Sequence, residues 1–118
     1  MSKALLNDWI ERLGLQDWTI KLVDCCDPED MALSNVAGCT EWVEVKRSAV
    51  IQIMDPDYYG DRIMPFDYEQ TLVHELLHLK TCLLTDVEDT LQERVGHMLI
   101  EDLARVLVEL KREATEEL

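Results

Sequence analysis

Residues 68–84 restrict the fold more than any other stretch of this chain. Asp67 stands three residues before Gln70 and just after Pro65, which reads as an N-cap with its capping-box partner. From there Leu72, Val73, Leu76, Leu77, Leu79, Leu83 and Leu84 cover a broad apolar arc at roughly 100° per residue. A helix so apolar must be packed on most of its sides, so the rest of the chain has to wrap it. The sector left over holds Thr71, His74, His78 and Cys82, with Glu75 and Lys80 as the nearby charges.

Within that helix His74-Glu75-Leu76-Leu77-His78 spells HExxH. Two histidines four apart share one helix face, with Cβ atoms about 6 Å from each other, so both imidazoles reach one metal ion. Glu75 points to the flank, where it can touch a water on that ion without taking a ligand position. Two neutral nitrogens, an ion that acidifies water and a carboxylate that accepts the proton make up the chemistry of a zinc hydrolase. The competing reading, two core histidines satisfied by backbone carbonyls, explains neither the i,i+4 spacing nor the glutamate between them.

At 118 residues the chain is long enough for one core and too short for two, so residues 1–118 are expected to form a single domain. No apolar run reaches the length that spans a bilayer, and the first residues carry polar and acidic breaks unlike a signal peptide. A cytoplasmic protein without a membrane partner is therefore expected. The formal charge of −14 repels a polyanion, which argues against nucleic acid as a partner. Cys25, Cys26, Cys39 and Cys82 fit no CxxC or zinc-knuckle spacing and are expected to be reduced thiols. Cys82, one turn past His78, is expected to fill space rather than bind metal.

The remaining elements follow from periodicity. Leu5, Leu6, Trp9, Ile10 and Leu13 predict an amphipathic helix over about 3–13, stopped at Gly14. Alternation around Trp18, Ile20 and Leu22 predicts a first strand, and residues 25–35 a loop. A second strand over about 36–45, a turn at Lys46-Arg47-Ser48 and a third strand over 49–54 predict a hairpin. Residues 55–66 form a loop leading to the HExxH helix. A break near Thr85-Asp86 precedes a long last helix over about 87–115. The expected fold is α+β: an N-terminal helix, a small three-stranded, mostly antiparallel sheet, the HExxH helix and a long C-terminal helix.

Catalytic zinc takes three protein ligands and an open position, so one more is needed. Thr81 and Leu84 exclude the extended motif that continues with glycine and a third histidine. If the two last helices form an antiparallel hairpin turning near Thr85, the position level with His74 and His78 lies near residue 93, at about 1.5 Å rise per residue. Glu93 is thus the expected third ligand. His97, one turn on, and Asp89 are the alternatives, and Glu101, about 12 Å past Glu93, fits poorly. Arg94, Glu101, Arg105 and Arg112 gather on one sector, read as the solvent face.

The stretch Thr71 to Leu79, the strand before it, and the helix carrying Glu93 and then Leu103-Ala104-Arg105 resemble a minimal zincin of the gluzincin type. In plan the chain is similar to small prokaryotic and phage metallopeptidases, including the ImmA/IrrE group. The thermolysin-like downstream Asn-Glu motif is absent. The resemblance implies a Zn2+-dependent endopeptidase acting on a peptide or protein substrate. His74, His78 and Glu93 would bind the metal, and Glu75 would be general base and then proton donor. His97, or one of Tyr58, Tyr59 and Tyr68, would stabilise the oxyanion. It also implies that strand 49–54 borders the cleft and pairs with an extended substrate. Two other classes compete: a zincin-fold binding or regulatory module with a structural metal, and a metal-dependent endoribonuclease. Glu75 has no purpose in the first, and the negative charge opposes the second.

Overall fold

The structure, a computed structural model, describes residues 2–31, 36–58, 65–85 and 90–116. Its order is α1 (Ser2–Leu13), β1 (Thr19–Cys26), β2 (Gly38–Val43), β3 (Ser48–Met54), α2 (Tyr68–Thr85) and α3 (Thr90–Glu116), the α+β plan read from the sequence. β3 is the middle strand, between β1 and β2. Its alternation sends Ala49, Ile51 and Ile53 to one face, where the two isoleucines are completely buried against the helices.

β2 and β3 form the expected antiparallel hairpin, from Gly38 opposite Ile53 to Val43 opposite Ser48. Between them a single 3-10 turn ends at Arg47, which adopts the left-handed conformation at φ 48°. The sheet was expected to be mostly antiparallel, and it has one pair of each kind. β1 lies parallel to β3, with Thr19 opposite Ser48 and Val23 opposite Gln52. The reason is the order of pairing: β2 alone reverses the chain between them and lies on the far side of β3. Because β3 is hydrogen-bonded along both edges, it cannot pair with a substrate as the resemblance implied. β2 is the edge strand on the side of the HExxH helix.

α2 lies on the sheet with Leu72, Val73, Leu76, Leu77 and Leu79 buried. α1 covers it with Leu6 and Trp9, and α3 with the ridge Ile100, Ala104 and Val108 at i,i+4 spacing. A polar clamp fixes how α3 lies along α2. Arg112 donates to both carboxylate oxygens of Asp67 at 2.9 and 3.0 Å. Lys111 pairs with Glu69 and, at 3.1 Å, with Asp8 of α1. The Trp9 indole donates to Glu69 at 2.7 Å. Behind the sheet, Cys26, Met31, Cys39 and Met54 make a second small core. Cys26, Cys39 and Cys82 form no disulfide, and the Cys25 side chain lies outside the described residues. Among the described residues no helix is long and apolar enough to cross a membrane.

The outward face of α3 leaves Leu91, Val95, Met98 and Leu99 in solvent, so neighbours on this helix differ sharply. Ile100 is 1% exposed and Leu99 55%. Ile100→Ala should cost about 2–5 kcal/mol of stability, while Leu99→Ala should change it by about 0.5 kcal/mol or less, the ordinary surface effect. Denaturant unfolding of the two variants measures the difference.

Candidate metal centre

Asp67 starts α2 by accepting from the backbone N–H of Gln70 at 3.1 Å, the N-cap read from the sequence. From that start the helix turns His74 and His78 to the same face, their ring centroids 5.1 Å apart. The third imidazole comes from α3: the His97 ring meets that of His78 edge-on at 5.1 Å. Nitrogens of His74, His78 and His97 all lie within 4.8 Å of one another, close enough to hold one metal ion. On the other side the Trp42 ring of β2 stacks over His78 at 6.4 Å.

Burial, with the two neighbouring imidazoles, pushes His78 down to about 4. Burial likewise lowers His74, although the Glu101 charge opposes it. His78 is therefore neutral at pH 7, the form in which an imidazole binds metal. The His74 Nδ1–H donates to Glu101 Oε2 at 2.7 Å, and the second oxygen of that carboxylate accepts from Gln70 at 3.1 Å. That contact fixes the tautomer and leaves His74 Nε2 with a lone pair for an ion.

Glu75 is 6% exposed, and burial is what lifts its carboxyl to about 7. The Thr40 hydroxyl of β2 donates to it at 2.7 Å and works against that rise, while the Glu101 charge adds to it. Gly38 is the other contact from β2. A Cβ there would stand 3.2 Å from both Cγ and Oε2 of Glu75 and 3.0 Å from the Thr71 methyl, so any larger residue would make those side chains give by a few tenths of an ångström. Gly38, Thr40 and Trp42 alternate along one face of β2, and this period of two carries all of them to α2.

Glu93, expected as the third ligand, lines the cleft one turn before His97 but is not one of the residues whose donor atoms converge. Glu101, expected on the solvent face, is exposed there and also reaches His74. The shift has a simple origin. α2 ends at Thr85 and α3 begins at Thr90, so the midpoint of the connection falls two to three residues beyond Thr85. The position level with the His74–His78 midpoint then moves about five residues on from near 93, to between His97 and Glu101. Asp89 and Tyr59 lie outside the described residues. Tyr58 and Tyr68 donate to Asp27 and Asp24 rather than into the cleft. Cys82 is buried and contacts the Leu79 carbonyl. Sequence reasoning missed Gly38, Thr40, Gln70, Glu101 and Trp42. For the β2 residues the one available signal was strand alternation, which does not say which face meets which helix.

These groups line an open cleft of about 620 Å³ between β2, the start of α2 and α3. Comparison with protein-family models, with curated proteins and with solved structures finds no match to this chain.

A carboxyl raised from 4.5 to about 7 by folding stabilises the fold, relative to its charged form, only while it keeps its proton. That contribution is complete below 4.5 and is lost as pH rises through about 7. Glu75→Gln should therefore stabilise the metal-free protein at pH 8 by up to about 3 kcal/mol, at about 1.4 kcal/mol per pKa unit. The gain should fade toward pH 4.5. Denaturant unfolding in chelator at the two pH values checks it.

Proposed function

We propose that this protein is a zinc-dependent endopeptidase. The observation that carries the reading is the convergence of three imidazoles, two from α2 and one from α3, beside one buried carboxylate. Imidazole suits zinc, copper, iron and nickel, and zinc among them is the ion without redox chemistry that serves as a hydrolytic Lewis acid. The nitrogens, all within 4.8 Å of one another, would draw in toward the roughly 3.4 Å spacing that tetrahedral zinc imposes. His74, His78 and His97 would hold the ion, and the third ligand is then an imidazole rather than the carboxylate of the gluzincin pattern. Bound there, zinc supplies a Lewis acid and an acidified water.

The chain's own groups account for the rest. Glu75, near 7 and fixed by Thr40 and Gly38, accepts a proton from the attacking water and passes it to the leaving amine. Glu101 and Gln70 hold the His74 ring so that Nε2 stays aimed. β2, an edge strand, presents its backbone along the cleft, where an extended peptide can add as a further strand. The open cleft suits a chain passing through rather than a small molecule enclosed on all sides.

Metal analysis should find about one zinc per chain, lost in His74→Ala, His78→Ala or His97→Ala. Glu101→Ala should weaken the metal by about 10–100-fold without abolishing binding. Glu75→Gln should keep zinc and fold yet lose hydrolysis of a broad peptide pool, as should wild type after chelation. Full zinc occupancy in His97→Ala, or undiminished cleavage by Glu75→Gln, would sink this reading.

Calorimetry offers an independent check. At pH 6 the Glu75 carboxyl is mostly protonated, and a divalent cation beside it favours the charged form. Zinc binding at that pH should release about one proton more from wild type than from Glu75→Gln, measured in buffers of different ionisation enthalpy.

A further inference from the structure

We propose that the cleft takes a cationic peptide, and that Glu93 recognises a lysine or arginine side chain about two residues from the bond to be cut. This rests on the peptidase reading and names its substrate class. Besides Cys39, the ionisable residues lining the cleft are Asp67, Glu75, Glu93, Glu101 and the three histidines; no lysine or arginine is among the described lining residues. Most of these acids are already engaged. Asp67 is held by Arg112, Glu75 by Thr40, and Glu101 by His74 and Gln70. Glu93 is exposed, and among the described residues its carboxylate has no hydrogen-bond or ion-pair partner. It is the lining acid left to meet a charge brought by the substrate.

Its position gives the subsite. Glu93 precedes His97 by one helical turn on the same ridge of α3, about 6 Å along the axis. For an extended peptide laid along α3, which advances about 3.3 Å per residue, that distance corresponds to two residues, and side chains two apart point to the same side. The wider field acts in the same direction. A chain of formal charge −14 draws in cationic peptides and repels acidic ones, and a cleft focuses that field. A divalent ion at the histidines offsets part of the negative lining but leaves Glu93 unpaired.

The test digests a mixed octapeptide pool with the zinc-loaded full chain and reads the cleavage sites by mass spectrometry. Lysine and arginine should be enriched, and aspartate and glutamate depleted, two residues to one side of the cut. Glu93→Gln should erase that preference. For a single lysine peptide it should lower kcat/KM about tenfold, mainly through KM, leaving the alanine counterpart within twofold. Glu93→Lys should reverse the preference toward glutamate. Glu11→Gln on α1, outside the cleft, removes the same charge and should leave the preference intact. Cleavage indifferent to charge, a lysine preference that survives Glu93→Gln, or loss of zinc in Glu93→Gln would each overturn the assignment while leaving the peptidase standing. Fluorescence anisotropy of a labelled lysine octapeptide and its glutamate counterpart separates the two ideas. If no peptide is cut but the lysine form binds tighter in a Glu93-dependent way, the hydrolase falls and the cationic cleft stands.

Discussion

α2 has to be buried on nearly every side, and the remaining architecture follows from how that is done. The sheet covers it with Ile51 and Ile53, α1 with Leu6 and Trp9, and α3 with Ile100, Ala104 and Val108. Each of these surfaces is apolar, and none can close over the sector that carries His74 and His78 without stranding imidazole nitrogens. The cleft is where this packing stops. β2 overhangs it from one side and α3 from the other, and both turn their polar side chains inward there: Thr40 from β2, His97 and Glu101 from α3.

The electrostatics of that gap run against the stability of the fold. Burial keeps a proton on the Glu75 carboxyl up to about 7 and keeps one off His78 down to about 4. A core built only for stability would hold an apolar side chain in place of Glu75, at no desolvation cost. Shifted carboxyl and imidazole groups side by side in one cleft are the usual mark of acid–base chemistry. A divalent cation held there would resolve both tensions, since it needs neutral imidazoles and favours the ionised carboxylate. Gly38 shows how closely the backbone is fitted to this group, because even a methyl there would press on the Glu75 side chain.

Local chemistry was legible in the sequence, and relative placement was not. The N-cap at Asp67, the start of α2 at Tyr68 and the shared face of His74 and His78 follow from spacing within one helix, and so do the buried leucines. The β2–β3 hairpin follows from alternation around a short turn. By contrast, the parallel pairing of β1 with β3 depends on which edge of β3 is vacant, and no local pattern records that. The contact of Thr40 with Glu75 joins residues 35 apart. Which residue of α3 faces the histidines depended on where the connection is centred, and an error of two or three residues there doubles across the hairpin.

The register of α3 along α2 is thus a chemical choice. Glu93, His97 and Glu101 follow each other at i,i+4 along one ridge, so a slide of one turn, about 5.4 Å, would bring a carboxylate to the place His97 holds. The neighbouring core ridge opposes such a slide. It would replace the buried Ile100 by Gly96 in one direction and by Ala104 in the other, and either exchange gives up most of an isoleucine's burial, about 2–5 kcal/mol. The ion pairs of Arg112 with Asp67 and of Lys111 with Glu69 oppose it too, and they lie some 22 Å along the helix from His97. Which α3 side chain stands beside His74 and His78 is therefore fixed partly by contacts several turns away. The same register leaves Glu93 in the lining of the cleft, one turn before His97.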